Sequence, residues 1–426
     1  MQTNLAAPFK HTADGDEAEQ ILRACVHCGF CTATCPTYQL VGDELDGPRG
    51  RIYLMKMVLE GEAPTRKTQL HLDRCLTCRA CETTCPSGVR YGRLVDIGRA
   101  AVDACVKRPL IERVMRRALR IVVPYPKRLG FFYKLGRIAP QAWSGGMCKT
   151  PRRRQAASWP ESRGLERKML VLDGCVQPVA VPVTNAAAAR VLAKLGIELV
   201  RPEGAGCCGA ISHHLTAPKE ARAFMRRNID AWWPHIEAGA EALVMTASGC
   251  GAMVREYGHL LRDDPDYAAK AAKVSAVTRD LSEVLAGEDL RVFAGIGKGG
   301  RVAWHSPCTL QHGQQVVGVV EQVLRGAGFE LTPVRDSHLC CGSAGTYSLL
   351  QKKLSQPLLH DKLDALQAGQ PSAIVTANIG CQLHLGSEAD VPVHHWIELL
   401  DDPGLAGPDT EAMYRPCSSS RNREAE

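Results

Sequence analysis

The sequence predicts an α+β protein of several domains, in which a helical N-terminal module precedes a duplicated α/β unit with parallel sheets. Three observations support this fold class. A cysteine motif of the form C-x2-C-x2-C-x3-C-P occurs twice in the first ninety residues. The stretches between and after the two motifs have helical patterns. From residue 168 onward, a unit of short apolar runs, helical stretches and cysteines occurs twice.

Length and composition are those of an ordinary globular protein, apart from the number of cysteines. The 426 residues are 45% hydrophobic and 23% charged, which suits two or three packed domains. No apolar run is long enough to span a bilayer, and residues 1–20 lack the apolar stretch of a secretory signal, so we expect a cytoplasmic chain. Thiols stay reduced there, which argues against disulfides. The 19 cysteines include two patterned sets of eight, which points to metal, whereas Cys105, Cys148 and Cys417 are expected to be packing or surface thiols.

The first set of eight lies in the two motifs, whose positions are offset by 50 residues. Three cysteines at two-residue spacing can wrap one cubane if the backbone loops around it, and small residues at Gly29 and Ala80 should help that loop. The fourth cysteine, followed by proline, is expected to point away at the start of a helix, and in two-cluster ferredoxins it binds the other cluster. Zinc favours pairs of cysteines with a long spacer, which fits this pattern poorly. We therefore expect two [4Fe–4S] clusters. Their ligands are Cys25, Cys28, Cys31 and Cys85 for the first, and Cys75, Cys78, Cys81 and Cys35 for the second.

Helices are expected around these clusters. Residues 50–60 and 89–106 combine helix formers with apolar residues at helical spacing. This part of the chain resembles the α-helical ferredoxin module of succinate dehydrogenase and related respiratory subunits. Arg49 and Arg51 add positive charge that would tune a cluster potential; the alternative is a solvated helix start.

The second set of eight cysteines belongs to the duplicated unit. Each copy reads strand, cysteine, helix, strand, Cys-Cys-Gly, helix, strand, cysteine, which is typical of βαβ units on a parallel sheet. Because the carboxyl ends of parallel strands share one edge of a sheet, the four cysteines of each copy should converge. The two sets are Cys175, Cys207, Cys208 and Cys250, and Cys308, Cys340, Cys341 and Cys381.

The copies resemble the cysteine-rich CCG domain, found twice in heterodisulfide reductase subunits and in iron–sulfur subunits of hydroxyacid and glycerol-3-phosphate oxidising complexes. The family motif ends in C-x-x-C, but here the last cysteine is replaced by Met253 and His384. Four thiolates per copy still suffice for a further iron–sulfur cluster in at least one copy. The alternative is a metal-free thiol site or a redox-active vicinal pair. Four histidines near these cysteines are either structural or candidates for proton relay at a quinone site; they are His213, His214, His305 and His338.

The connector between the two parts is basic. Residues 105–170 contain 17 lysines and arginines against three acidic residues. Residues 109–122 predict an amphipathic helix with apolar residues on one face and Arg113, Arg116, Arg117 and Arg120 on the other, followed by Tyr125, Phe131, Phe132, Tyr133 and Trp143. This pattern is typical of a helix that lies at a membrane surface; the alternatives are docking on an acidic partner and packing within the chain. We expect no nucleic-acid partner, because no binding motif accompanies the charge.

These patterns predict five segments. They are a ferredoxin module at 1–104, the basic connector at 105–167, CCG repeat 1 at 168–290, CCG repeat 2 at 291–402, and a disordered tail at 403–426 that is rich in proline, glycine and serine.

The chain has no G-x-G-x-x-G fingerprint after a strand, so we expect flavin only on a partner subunit. One dicluster module followed by two CCG repeats resembles the iron–sulfur subunit family of glycolate oxidase. The resemblance implies an electron-transfer subunit that serves flavin subunits oxidising glycolate to glyoxylate, and also D-lactate to pyruvate. It further implies that electrons pass toward membrane quinone at the inner face of the cell membrane. The alternatives are the iron–sulfur subunit of a lactate or anaerobic glycerol-3-phosphate dehydrogenase, and a catalytic subunit like heterodisulfide reductase.

Overall fold

The computed structural model describes residues 1–138, 158–161 and 164–407. Within them, the N-terminal part is helical and two four-stranded parallel sheets follow, so the predicted fold class is confirmed. Trp143, Cys148 and Cys417 lie outside the described residues.

The ferredoxin module is built from short helices. They are α1 (Ala13–Ala24), α2 (Pro36–Val41), α3 (Pro48–Leu59), α4 (Arg66–Asp73), α5 (Ala80–Thr83) and α6 (Tyr91–Cys105). The predicted helices at 50–60 and 89–106 correspond to α3 and α6. These two helices cross closely at Gly98, where an added Cβ would lie 2.5 Å from the Met55 side chain. Their contact forms the module's core, in which Leu59 and Leu94 are fully buried.

Each repeat contains one sheet of four parallel strands. In repeat 1 they are β1 (Arg167–Val171), β2 (Ile197–Val200), β3 (Leu243–Met245) and β4 (Thr278–Asp280), and in repeat 2 they are β5 (Arg301–His305), β6 (Glu330–Leu331), β7 (Ala373–Thr376) and β8 (Val393–His395). The strand orders β2-β1-β3-β4 and β6-β5-β7-β8 are the same, as expected for a duplication. The fourth strand of each sheet was not part of the predicted unit.

Helices cover both sheets. In repeat 1 they are α9 (Gln177–Ala180), α10 (Val183–Lys194), α11 (Ala210–His214), α12 (Pro218–Glu237), α13 (Ser248–Arg255), α14 (Tyr257–Leu260), α15 (Ala268–Val277) and α16 (Leu281–Ala286). In repeat 2 they are α17 (Val319–Gly326), α18 (Tyr347–Leu350), α19 (Lys352–Gln367), α20 (Ile379–Gly386) and α21 (Trp396–Asp401). One apolar core runs through both repeats and includes Val171, Trp304 and Trp396, so the two sheets form a single packed body.

The ferredoxin module packs directly on the repeats. Arg79 bonds Glu256 of repeat 1 at 2.5 Å, and the Tyr347 hydroxyl of repeat 2 donates to the Arg74 carbonyl at 3.0 Å. The buried Glu17 contacts His259 of repeat 1 at 3.0 Å. These contacts fix the cysteines of the module relative to those of the repeats.

The connector forms α7 (Leu110–Val122) and α8 (Pro126–Ile138). Of the four arginines predicted on one face of α7, Arg113 and Arg117 are exposed, whereas the other two face the protein. Arg116 bonds Asp73 at 3.1 Å and Arg120 bonds Glu220 at 3.5 Å, so half of the predicted basic face packs on the protein. The apolar face is exposed, with Ile111 at 77% and Val114 at 60% of full exposure. Ionic contacts orient α7 because its arginines find carboxylates on two neighbouring elements.

The first residues of the segment that we predicted as a disordered tail are folded. Pro403–Ala406 form a 3-10 turn, and Leu405 is buried in the shared core of the repeats. Residues 408–426 lie outside the described residues. Among the described helices, none is both long enough and apolar enough to cross a membrane.

Candidate cluster and cysteine sites

The first cavity of the module is lined by cysteines from both motifs. It has an empty volume of ≈ 440 Å³ and opens toward solvent beside Cys28, which is exposed. Its cysteines are Cys25, Cys28, Cys31, Cys81 and Cys85. The four cysteines predicted for the first cluster therefore share one cavity, and Cys81 borders it.

A second cavity lies deeper, with an empty volume of ≈ 300 Å³. Its cysteines are Cys35, Cys75, Cys78 and Cys81. They are the four predicted for the second cluster, and Cys35 again comes from the other motif. Since Cys81 lines both cavities, the two are neighbours.

Both cysteine loops use left-handed backbone on either side of their second cysteine. In the first loop these residues are His27 (φ 60°) and Gly29 (φ 88°), and in the second they are Thr77 (φ 54°) and Arg79 (φ 63°). The expectation that Ala80 serves the second loop is wrong, because Ala80 begins α5 and Arg79 takes the position equivalent to Gly29. A left-handed non-glycine residue costs about 1–2 kcal/mol, and the two ion pairs of Arg79 with glutamates oppose that cost.

The fourth cysteines differ from each other. Cys35 precedes the first turn of α2, as expected, with Pro36 at its first position. Cys85 is also followed by proline, but no helix begins there, and the next one starts at Tyr91. The expectation of a helix start therefore holds for Cys35 alone.

Two buried arginines surround the thiol of Cys75. Arg51 is almost fully buried and donates to the His71 carbonyl at 2.7 Å. Arg99 donates to the Cys75 carbonyl at 2.7 Å and to the Thr77 hydroxyl at 3.0 Å. Burial raises the pKa of the Cys75 thiol, but the attraction of both arginines outweighs burial, so the pKa is lowered. Sequence reasoning identified Arg51 and missed Arg99, which lies on α6 far from either motif.

At two neighbouring thiols, burial and nearby sulfurs dominate instead. Burial, together with the nearby Cys308 and Cys35, raises the pKa of Cys78 well above its usual value. Burial and then Cys25 raise the pKa of Cys31 to about 11. Arg49 lines the first cavity and approaches Gly29, although its guanidinium also bonds Glu44 at 2.6 Å.

In repeat 1, Cys175 and Cys207 share one small apolar cluster, while Cys208 packs beside Cys250 in the next. Hydrogen bonds from Cys175 and Cys208 hold the pKa of the Cys207 thiol below its usual value. The Gly209 amide, which lies 3.5 Å from the Cys207 sulfur, acts in the same direction. The predicted convergence at the sheet edge is found.

In repeat 2, the Sγ atoms of Cys308 and Cys340 lie 3.9 Å apart. Cys341 and Cys381 form a second close group together with His305, and their ligand atoms all lie within 4.8 Å of one another. Cys308 and Cys340 share an apolar cluster with Cys78 of the ferredoxin module. Repeat 2 is therefore the repeat whose cysteines adjoin the second cavity.

The other predicted histidines lie elsewhere. His213 contacts Asp96 of α6 at 3.1 Å. Burial lowers the pKa of His213, but the charge of Asp96 outweighs burial and raises it. His214 is partly exposed beside the same carboxylate, at 3.9 Å, while the His338 carbonyl contacts a ring nitrogen of His312 at 2.9 Å.

Comparisons with known proteins agree with this architecture. Residues 21–89 match the 4Fe-4S dicluster domain family, and residues 169–255 and 302–386 match the cysteine-rich domain family named CCG. The chain is 55% identical to the glycolate oxidase iron-sulfur subunit of Escherichia coli (strain K12), over 94% of this chain and 98% of that protein. It is 32% identical to the probable glycolate oxidase iron-sulfur subunit of Bacillus subtilis (strain 168), over 88% and 90% of the two chains. Lactate utilization protein A of Geobacillus kaustophilus (strain HTA426) is 30% identical over 55% of this chain and 98% of its own length.

Proposed function

Because this chain belongs to the family of glycolate oxidase iron–sulfur subunits, we propose that it carries electrons to the quinone pool of the membrane. It receives these electrons from flavin subunits that oxidise glycolate. Family membership makes it an iron–sulfur component of an oxidoreductase complex. The substrate, the flavin partner and the quinone acceptor belong to the proposal.

The observation that carries the proposal is the pair of cysteine-lined cavities. Each contains three cysteines of one motif and the fourth cysteine of the other, and Cys81 lines both cavities. This is the exchange seen in two-cluster ferredoxins. We assign one [4Fe–4S] cluster to each cavity. Cys25, Cys28, Cys31 and Cys85 would hold the first, and Cys75, Cys78, Cys81 and Cys35 the second. Such clusters supply one-electron transfer, and the chain supplies the path.

The residues around the cavities fit this cofactor. Four thiolates carry negative charge into a buried site, which is costly unless cations lie nearby. Arg51 and Arg99 provide positive charge at Cys75, and the Thr77 amide lies 3.3 Å from the Cys75 sulfur. Positive charge and hydrogen bonds to sulfur both raise the reduction potential of a cluster.

We propose that the flavin subunit docks on the side of the first cavity. Cys28 is exposed there, and Val26 and Phe30 on either side of it are 68% and 63% exposed. Exposed apolar side chains grouped around a redox site are typical of a protein interface. A partner on this surface comes nearest to a cysteine-lined cavity, and the second cavity lies farther inside, against repeat 2.

The exposed apolar face of α7 provides a membrane contact. Leu110, Ile111 and Val114 project outward, and the exposed Arg113 and Arg117 flank them. Phe131 and Phe132 of α8 are also exposed. A basic helix with an exposed apolar face suits the interface of an anionic bilayer, and we propose that this contact holds the complex at the inner face of the cell membrane. An acidic partner subunit is the competing occupant, and vesicle binding distinguishes the two.

The cysteines of the repeats extend the electron path beyond the module. We propose a redox or metal site at Cys175, Cys207, Cys208 and Cys250 in repeat 1, and a separate site at Cys308, Cys340, Cys341 and Cys381 in repeat 2. An additional iron–sulfur cluster in repeat 1 and a metal-free thiol site there predict different iron contents.

Lactate is the second candidate substrate, because a lactate utilization protein aligns with 55% of this chain. The experiment that tests the function is reconstitution of the whole complex with its flavin subunits. Glycolate should reduce a quinone analogue only when this chain is present. Faster turnover with D-lactate than with glycolate would make D-lactate the substrate of the complex. Quinone reduction without this chain would refute its role as the electron carrier.

A further inference from the structure

A buried histidine without a partner lies at the carboxyl end of β5. His305 is 2% exposed, and neither of its ring nitrogens has a hydrogen-bond partner. Buried polar side chains are almost always hydrogen-bonded, since an unpaired group loses its contacts with water. A neutral imidazole has one ring nitrogen with a free lone pair, which can bind a metal ion.

The unpartnered nitrogens lie beside two buried thiols. A ring nitrogen of His305 and the sulfurs of Cys341 and Cys381 all lie within 4.8 Å of one another. His305 is the last residue of β5, Cys341 lies in the loop that follows β6, and Cys381 lies on α20, which follows β7. The carboxyl ends of these three neighbouring strands share one edge of the sheet. The Cys340 thiol lies outside this compact group but is hydrogen-bonded to Cys341, so a third thiol lies next to it.

We propose that repeat 2 binds one divalent metal ion of the zinc class through His305, Cys340, Cys341 and Cys381. The ion is redox-inactive and separate from the two cubanes, so it holds the edge of the second sheet together beside Cys78. This deepens the proposed metal site of repeat 2 and does not depend on the substrate of the complex.

The spacing of the ligand atoms favours a single ion over a cluster. Zinc binds thiolate sulfur at about 2.3 Å and imidazole nitrogen at about 2.0–2.1 Å, so tetrahedral ligand atoms lie about 3.4–3.8 Å apart. The group of His305, Cys341 and Cys381 can reach that geometry with small adjustments. Among the described residues, no three of the eight N-terminal cysteines form such a compact group, as expected for ligands that bind separate irons of a cubane.

The two repeats differ at this position, so packing at this edge of the sheet does not require a histidine. Leu172 takes the equivalent place in repeat 1, three residues before the first cysteine, and it is a buried core residue. Leucine cannot bind a metal. The histidine therefore supplies a ligand in the one repeat and is replaced by an apolar side chain in the other.

His384 is the other candidate, because it stands where the family motif has its final cysteine. Its Nε2 lies 3.1 Å from the Ser355 hydroxyl, so it already has a partner. Around the proposed ligands, the Asn378 amide donates to the Cys381 sulfur at 3.4 Å. The Lys362 side chain is buried near Cys340 and Cys341, and its Nζ donates to the Asp336 carbonyl at 2.8 Å.

The test is the metal content of the full-length protein, purified without oxygen and then dialysed against zinc at a low free concentration. Zinc and iron are both measured by mass spectrometry. We expect about one zinc per chain in the wild type, almost none in His305→Leu, which copies repeat 1, and about one in the control His384→Gln. Iron should be the same in all three. Replacing zinc with cobalt(II) should give the visible absorption of a tetrahedral thiolate site, and His305→Leu should lose it.

His305→Cys keeps a ligand at the same place and should retain zinc, which separates ligand loss from failure to fold. An unchanged zinc content in His305→Leu, or in Cys341→Ser, would overturn the proposal. Loss of about four irons in either variant would also overturn it, because a cluster would then occupy the site. Iron from the N-terminal module reports independently on the two cubanes, so failure of one proposal does not resemble failure of the other.

Discussion

Membrane binding through α7 should depend on two of its four arginines and not on the other two. Arg113 and Arg117 are exposed, whereas Arg116 and Arg120 bond Asp73 and Glu220. A basic residue near an anionic bilayer contributes about 1 kcal/mol. Replacing Arg113 and Arg117 by Gln should therefore cost about 2 kcal/mol, or about 30-fold in vesicle affinity.

The matched control is Arg116→Gln, which removes one positive charge from the same helix. Asp73 keeps its bond with Arg108 at 2.5 Å, so the helix should remain in place. Because Arg116 faces the protein, this variant should bind vesicles nearly as well as the wild type. A third variant, Ile111→Ser, removes an outward apolar side chain and should weaken binding in a way that added salt does not mimic.

The assay is sedimentation of the full-length protein with vesicles that contain anionic lipid, at two salt concentrations. The electrostatic part of the affinity should weaken at high salt because exposed charges are then screened. Equal affinity of the wild type and the Arg113/Arg117 variant would contradict the membrane contact. Equal loss in the Arg116 variant would contradict the orientation of α7.

Four further predictions concern the rest of the chain. The isolated protein should not oxidise glycolate or D-lactate with an artificial acceptor, and turnover by this chain alone would contradict its role as an electron carrier. Replacing Cys207 and Cys208 together by Ser should abolish quinone reduction by the complex. A loss of about four irons would indicate a cluster, and an unchanged iron content would indicate a metal-free thiol site. Full activity would show that the pair is purely structural. Replacing Arg51 by Met should lower the free energy of unfolding by about 2–3 kcal/mol in a denaturant titration. This is somewhat less than the usual cost of breaking a buried ion pair, because the acidic partner of Arg51 keeps other contacts. A change below about 0.5 kcal/mol, which is near the error of such titrations, would show that the arginine is not needed for the fold. The Asp96–His213 pair raises the histidine pKa, so the pair contributes its full stability below the ordinary pKa of about 6.5 and loses it as the pH rises through the raised pKa. Asp96→Asn should therefore lower the melting temperature more in acid than in alkaline buffer. A difference that does not depend on pH would contradict the ion pair.

Local signals were enough to predict the cysteine grouping and the architecture of the repeats. Two-residue cysteine spacing and a repeated strand–cysteine pattern are short-range features, so the sequence contains them directly. The pairing of Cys35 and Cys85 with the opposite motif came from the ferredoxin pattern and places each in the expected cavity. The ligand assignment itself remains a prediction that iron chemistry must test.

Features that depend on packing between distant segments could not be predicted from local sequence signals. Helical spacing showed that α7 has two faces, but its direction depends on Asp73 and Glu220, which belong to other elements. Arg99 reaches Cys75 only because α6 returns along α4. His305 was noticed as a histidine near cysteines, but that both its nitrogens lack partners is a property of the folded core.

The most direct test of the two-cluster account compares the electron paramagnetic resonance spectra of the reduced Cys31→Ser and Cys85→Ser proteins. The wild type should contain about eight irons from the N-terminal module and show two cubane signals. Cys31 and Cys85 line the same cavity although they come from different motifs, so both variants should lose the same signal and keep the other. The control Cys105→Ser, an exposed thiol outside both cavities, should keep both signals. Two intact signals in Cys85→Ser, or loss of the signal that Cys78→Ser removes, would contradict the exchange of the fourth ligand on which the account rests.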